Sequence, residues 1–357
     1  MIAIGIPTYN EAKNISKLTS LIDRTAAKIG LDIIIINADN NSPDHTAAIF
    51  LATNTTNKKN SIVTNEKGKG SNIKAILDVV STLDTCEGCI FIDGDITSFS
   101  ESWLRTFVRA IRAQADFIVP NYARDFQEGN TTNHFVYPLT FYHTNGNCPR
   151  QPIAGDFGLS MKFIQFLVHS AHWHTYCYGY GIDIFLTLQA LYNHFRVDEV
   201  NVERKEHNPS FGKMIDMFVE VASSYYETST KLFEANQNNG VFQAIMNGKH
   251  PSKLFAPKMP LCQTKIVERE KEANQILAST ETLSKIEKNS ALISSVWGQI
   301  LLDHERNIGQ VDSFILAQSI LPYYLLRVVH YLQHNSNAQQ AENTIKDVIT
   351  FMKRHVK

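Results

Sequence analysis

The sequence predicts an α/β fold, a parallel sheet covered by helices over its first third and closed by a helical C-terminal region. Two observations carry this. Short apolar runs alternate with helical patterns up to about Asn121, as in consecutive βαβ units. Polar clusters then recur where the apolar runs end, the edge at which such sheets bind ligands.

The elements follow in order. "IAIGIP" is a strand, and "EAKNISKLTSLIDRTAAKIG" is a helix stopped at Gly30. "LDIIIINA" and "DHTAAIFLATN" form the next strand–helix unit, and "SIVTN" and "GSNIKAILDVVST" the third. "GCIFIDGD", the helix "SWLRTFVRAIRAQ" and the strand "ADFIVPN" complete the alternation. From Tyr122 to about Cys148 the text is polar and irregular, read as loops and a helix. "YGIDIFLTLQALYNHF" and "MIDMFVEVASSYYETSTKLFEAN" are helical, and "FRVDEVNVERKEH" between them is an alternating strand. "GKHPSKLFAPKMPLC", with three prolines, is a connector, and the remainder is helical.

A chain of 357 residues with 43% apolar content can bury a large core, and a net charge of -1 argues for neither nucleic acid nor an anionic membrane as partner. The five cysteines, at irregular spacing, point to a reducing, cytoplasmic setting. Cys86 and Cys89 form a C-x-x-C without the second pair that a zinc site needs. The start shows no basic leader. "FILAQSILPYYLLRVVHYL" contains Gln318, Pro322, Arg327 and His330, so it reads as a buried helix broken at the proline, with no membrane span. These apolar C-terminal helices could be core or interface, which leaves monomer and homodimer open.

Four clusters sit at successive strand ends: "PTYNE", "ADNNSPDHT", "EKGKGS" and "DGD". Asp93 and Asp95 flank Gly94 at the end of "CIFI", and paired carboxylates there suit a hard cation such as Mg²⁺ or Mn²⁺ whose other positions phosphate oxygens and water can fill. Lys67 and Lys69, between Gly68 and Gly70, suggest a cationic loop with exposed N–H groups at a helix start. The spacing is not that of a Walker loop. Asp44 and Thr46 read as caps of the following helix. His169, His172 and His174 read as a surface or packing group.

Taken together, "IPTYNE", "ADNNSPDHT", "GKGSN" and "FIDGD" resemble GT-A glycosyltransferases of the family-2 type. "QPIAGDFGLS", "YGYGIDIFLTLQAL", "ERKEHNPSFGKMIDMF" and "LPYYLLRVVHYL" narrow the resemblance to the retaining enzymes that make glucosyl-3-phosphoglycerate, glucosylglycerate and mannosylglycerate. It implies a GT-A domain, a Rossmann-like nucleotide-sugar-binding sheet flanked by helices, over residues 1–255. Residues 1–121 would be the nucleotide-binding half and 122–255 the acceptor half, with 256–357 as the helical region. It further implies that Pro7, Thr8, Tyr9, Glu11 and Asp39 line the nucleoside, that Lys69 approaches base or diphosphate, and that Asp93, beside Gly94, holds ribose or water around the ion. Asp95 and His207 would ligate the metal. Asp183 would support the reacting sugar, Asp156 would contact sugar hydroxyls, and Thr132, Tyr180 and Asn208 would face the acceptor.

The function so implied is metal-dependent, retaining transfer of glucose or mannose from a donor such as UDP-glucose or GDP-mannose to a small hydroxy acid such as D-glycerate. Asn130 stands where phosphoglycerate-using relatives carry arginine, and Asn208 replaces a basic residue, so an unphosphorylated acid is expected. Two rivals remain: an inverting family-2 transferase with Asp156 as general base, acting on a saccharide or lipid-linked acceptor, and a catalytically silent nucleotide-sugar-binding protein.

Overall fold

The computed structural model describes residues 1–206, 211–236, 245–248, 253–257, 261–281, 283–284, 286–287 and 291–355. The strands are β1 (Ile2–Thr8), β2 (Ile33–Asp39), β3 (Lys58–Val63), β4 (Gly88–Phe91), β5 (Phe117–Asp125), β6 (Phe157–Ser160), β7 (Arg196–Arg204), β8 (Ile245–Asn247) and β9 (Leu254–Phe255). The helices are α1 (Ile15–Lys28), α2 (Thr46–Ala52), α3 (Lys69–Val80), α4 (Glu101–Arg112), α5 (Tyr137–His143) and α6 (Met161–His169). They continue as α7 (Ile182–Tyr192), α8 (Met214–Asn236), α9 (Gln263–Ser279), α10 (Ser294–Glu305), α11 (Ser313–His334) and α12 (Ala338–Lys353).

The sheet runs in the order β3-β2-β1-β4-β6-β5-β7-β8, with β9 paired to β5. β1 is buried along its whole length, as a central strand covered on both faces must be, whereas edge strand β3 is half exposed. The sheet is mixed, which corrects the expected parallel one: β6 runs antiparallel to both β4 and β5. "FGLS" escapes sequence reading because it is short and carries Gly158. That glycine is needed because a side chain would lie 2.8 Å from Ile118 Cδ1 and 3.0 Å from Phe107 Cδ1. The antiparallel insertion turns the segment before β6, residues 151–156, toward the end of β4 and so delivers Asp156 to Asp93.

Two hydrophobic clusters fill the molecule. One sits around the sheet and its first helices, and the other joins α8 to α12 with α7 and the 126–139 segment. The C-terminal helices clamp that segment by hydrogen bonds: Trp297 Nε1 donates to the His134 carbonyl at 2.6 Å, and Tyr331 Oη to that of Phe126 at 2.8 Å. α11 passes through Pro322 unbroken, contrary to the expected break. Proline inside a helix costs about 3 kcal/mol, and burial of Leu316, Ile320, Tyr324, Val328 and Tyr331 on both sides of it holds the helix together. Among the described residues, no helix is long and apolar enough to cross a membrane.

Candidate active site

The ends of β1 and β2 form one wall. Thr8 Oγ1 donates to Asp39 Oδ1 at 2.8 Å and accepts from Asn37 Nδ2 at 2.8 Å. Asp39, only 1% exposed, also accepts from Ser42 N and Ser42 Oγ, both at 2.7 Å, so its carboxylate anchors the loop after β2. Pro7 precedes Thr8 on the same strand, and Tyr9 beyond it is 49% exposed. Asp44 accepts from the Thr46 N–H at 3.1 Å as α2 begins, and both residues also hold the Glu11 turn. Glu11 N donates to Thr46 Oγ1 at 2.9 Å, and Ala12 N to Asp44 Oδ2 at 3.0 Å.

The turn at Gly94 packs directly on this wall. A Cβ there would meet Thr8 Cγ2 at 2.8 Å and Glu11 Cγ at 3.3 Å, so only glycine allows the approach. Glu11 is thereby brought beside the acid pair. Burial and repulsion by Asp95, Asp44 and Asp93 push its carboxyl up to about 7, against an opposing pull from Lys213.

The glycine-flanked lysine loop differs from expectation. Its N–H groups do not wait for an anion: Gly70 N donates to Gly179 O at 3.2 Å, Ser71 N to Tyr178 O at 3.0 Å and Gly68 N to Asn40 Oδ1 at 3.2 Å. A Cβ on Gly70 would fall 2.0 Å from Cys177 O, and one on Gly68 2.3 Å from Tyr178 O. The glycines therefore let the start of α3 press against the segment before α7, and the contact carries Lys69 to Asp183.

At that junction charges interlock. Lys69 Nζ lies 2.8 Å from Asp93 Oδ1, 3.1 Å from Asp183 Oδ1 and 2.8 Å from Gly155 O. Lys205 Nζ lies 2.8 Å from Asp93 Oδ2, 2.8 Å from Asp156 Oδ2 and 3.0 Å from Ala154 O. Asp156 is 0% exposed. Its Oδ1 accepts from Asp93 N at 2.8 Å and its Oδ2 from Tyr122 Oη at 2.6 Å, and Trp103 Nε1 donates to that phenol at 2.9 Å. Gly155, with φ +93°, admits both charges, since a Cβ would lie 2.4 Å from Asp93 Oδ2 and 2.6 Å from Lys205 Nζ.

Burial opposes every one of these charges, and the partners decide the outcome. For Asp93, Lys205 and Lys69 overcome burial and hold the carboxyl well below its usual range. For Asp183, burial prevails over Lys69, with Asp93 adding repulsion, and the pKa rises. For Lys69, Asp183 and Asp93 outweigh burial and raise its pKa, and Asp156 and Asp93 do the same for Lys205.

Arg124, at the end of β5, is half-buried. Its Nε donates to Gln151 Oε1 at 2.8 Å and its Nη2 to Ala154 O at 3.3 Å. Among the described residues it has no carboxylate at ion-pair distance. Thr132 is buried in a short π-helical turn clamped by α10 and α11. Tyr180 is 38% exposed, its N–H held by Glu220 Oε2 at 2.6 Å. Asn130 Nδ2 donates to Gln127 O at 3.0 Å and braces its own loop. His207 and Asn208 lie outside the described residues.

Sequence reading assigned no role to Lys205, Tyr122, Arg124 or Gly155. Lys205 and Gly155 stand inside the quoted "KEH" and "AGD" and were within reach. Tyr122 and Arg124 gave no signal, because only strand alternation and the antiparallel β6 set them facing Asp156 and Ala154.

A divalent cation fits the wall chemically, since Asp95 and Glu11 offer hard oxygen donors, and the Glu11 carboxyl, raised first by burial, is raised further by the neighbouring acids Asp95, Asp44 and Asp93. No group of three His, Cys, Asp or Glu side chains is preassembled for a metal among the described residues. Of the three clustered histidines, His169 is exposed, whereas His172 Nδ1 contacts Gln189 Oε1 at 3.1 Å and His174 Nε2 contacts Thr228 Oγ1 at 2.9 Å.

The sequence pattern described as "Glycosyl transferase family 2" matches residues 3–171. No curated protein matches the chain in sequence. Two crystal structures of glucosyl-3-phosphoglycerate synthase from Mycobacterium tuberculosis share its fold. The complex with Mn²⁺, UDP-glucose and phosphoglyceric acid has a TM-score of 0.50 at 18% identity, covering 64% of this chain and 79% of the other. The complex with Mn²⁺, UDP and glucosyl-3-phosphoglycerate has a TM-score of 0.50 at 17% identity over the same shares, 64% and 79%. The mixed sheet with flanking helices is thus of the GT-A type, and the match to the family 2 pattern over residues 3–171 indicates a glycosyltransferase.

Proposed function

We propose that the protein transfers a hexose, with retention, from a nucleotide-diphosphate sugar to a small hydroxy acid, using Mg²⁺ or Mn²⁺. The observation that carries the reading is the convergence, at one sheet edge, of Asp93, Asp95, Lys69 and Asp183 beside Arg124, which makes no ion pair among the described residues. Pro7, Thr8, Tyr9, Glu11 and Asp39 form the nucleoside wall, with Asp39 acting chiefly through the loop it anchors. Asp95, with His207 as second ligand, would hold the ion, and Asp93, beside Gly94, would hold ribose or water. A bound cation supplies Lewis-acid stabilisation of the departing diphosphate.

The remaining work falls to the protein's own side chains. Lys69 neutralises charge on the leaving group, a contribution that grows toward the transition state. Asp183, within reach of Lys69, supports positive charge on the sugar ring. Arg124 supplies a guanidinium for the acceptor carboxylate in place of the arginine missing at 130, with Thr132, Tyr180 and Asn208 around it. Retention is favoured over the inverting rival because Asp156 is sealed from solvent and its oxygens already accept from Asp93 N, Tyr122 and Lys205. A general base must reach the proton it takes. The two M. tuberculosis complexes hold Mn²⁺ with UDP-glucose and phosphoglyceric acid, or with UDP and glucosyl-3-phosphoglycerate, in line with a nucleotide-sugar donor and a small acid acceptor.

The test is nucleotide diphosphate release from UDP-glucose and GDP-mannose with Mg²⁺ or Mn²⁺, with and without D-glycerate and 3-phosphoglycerate, with the product's anomeric configuration read by NMR. Acid-stimulated release that Asp95→Ala lowers by about two to three powers of ten is expected. Release that no acid stimulates, or a product of inverted configuration, refutes the proposal.

A further inference from the structure

Gln151 is 4% exposed and hydrogen-bonded at both ends of its amide. Its Nε2 donates to the Tyr122 carbonyl at 2.7 Å and to Asn121 Oδ1 at 3.1 Å. A backbone carbonyl only accepts, so the NH₂ group must face Tyr122 and the amide oxygen points the other way. There Oε1 accepts from Arg124 Nε at 2.8 Å. The chain on either side is pinned as well. Thr187 Oγ1 donates to the Pro152 carbonyl at 2.6 Å, and Arg150 N donates to Glu199 Oε1. The amide oxygen is therefore a fixed acceptor.

Its effect falls on the Arg124 guanidinium. Nε gives its proton to Gln151, and Nη2 donates to Ala154 O at 3.3 Å. These two nitrogens share one edge of the planar fork, so the Nη1–Nη2 edge keeps the remaining protons. Nη1 lies toward the loop after β5: a Cβ on Gly129, where φ is +66°, would sit 3.9 Å from it. Burial lowers the Arg124 pKa, and Glu128, exposed on the same loop, is the foremost acid acting against that. Glu128 is thus the acid toward which the guanidinium is drawn if Gln151 lets go. We propose, building on the acceptor role given to Arg124 above, that Gln151 is a positioning residue for the acceptor acid. It grips the guanidinium by the Nε edge and so presents the Nη1–Nη2 edge, already oriented, to a carboxylate.

The test is a double-mutant cycle on KM for D-glycerate, with Mn²⁺ and whichever of UDP-glucose and GDP-mannose supports release. Gln151→Met keeps the length of the side chain but offers no oxygen to Arg124. It is expected to raise KM for D-glycerate about tenfold, while KM for the donor stays within about twofold. In an Arg124→Gln background the same change is expected to add almost nothing, because the two side chains act as one unit. Should Gln151→Met not fold, Gln151→Glu has the same shape and sets a carboxylate against Arg124. It is expected to raise KM for D-glycerate at least as much, again only while Arg124 is present. An equal loss with and without Arg124, or a parallel rise in KM for the donor, marks Gln151 as merely structural and overturns the inference. So does an unchanged KM for D-glycerate in the folded Gln151 variant beside a raised one in Arg124→Gln. In those cases the acceptor reading stands. If Arg124→Gln itself leaves KM for D-glycerate unaltered, or the acid does not stimulate release, the reading and the inference fall together.

Discussion

Replacing Asp156 by asparagine separates two accounts of this carboxylate, brace or general base. In the structure its Oδ1 accepts from Asp93 N at 2.8 Å, and its Oδ2 accepts from Tyr122 Oη at 2.6 Å and faces Lys205 Nζ at 2.8 Å. An amide fills the same space but lacks the charge, and its NH₂ group must point either at a backbone N–H or at the ammonium. Removing one partner of a buried ion pair costs about 3–5 kcal/mol. Lys205 keeps Asp93, so the low end, about 3 kcal/mol, applies. In a chain of this size that lowers the unfolding midpoint by about 4 °C. Tyr122→Phe, which deletes one neutral donor to the same oxygen, is expected to cost about 1 kcal/mol. The assay is thermal unfolding followed by circular dichroism, beside nucleotide release under one set of conditions. If Asp156 were the base of an inverting reaction, the asparagine variant would unfold at an unchanged midpoint and lose about two to four powers of ten in rate. An unchanged midpoint with abolished turnover refutes the brace reasoning.

Other consequences are equally direct. Glu11 titrates at about 7 in the folded protein against 4.5 for the free group, so between those values the folded state keeps a proton that the unfolded chain has released. Stability therefore falls as pH rises through that window, and Glu11→Gln is expected to remove this loss: its midpoint should gain on that of the unmodified protein between pH 5 and 8, and parallel midpoint–pH curves would contradict the Glu11 environment. Arg124→Gln is expected to raise KM for an acid acceptor about 10- to 100-fold, the worth of a charge-assisted hydrogen bond, with Arg124→Lys intermediate. An unaltered KM would remove Arg124 from the acceptor site.

Much of this was legible from the chain. The alternating apolar runs of the first 121 residues state the βαβ order, because buried parallel strands need continuous apolar runs and their crossovers need amphipathic helices. The strand-end clusters, the D-G-D at 93–95 and the resemblance to GT-A enzymes pointed to the carboxyl edge of the sheet. Glycines 68 and 70 suggested a loop with exposed N–H groups, but a sequence cannot say which backbone a glycine lets in. Here that backbone is residues 177–179.

Sequence by itself thus determined which residues could meet at the carboxyl edge, since strand ends and helix starts follow from local periodicity. Only tertiary structure decided the partnerships among them. Asp156 looks like a reactive acid on paper and is a sealed brace in the fold. Lys205 looks like one more basic residue and is the cation that binds two acids together. The physical reason is that charge pairing in a buried site depends on distances of about 3 Å between residues far apart in the chain. Those distances were set by an antiparallel strand, β6, and by a close approach at Gly155 that no local pattern announces.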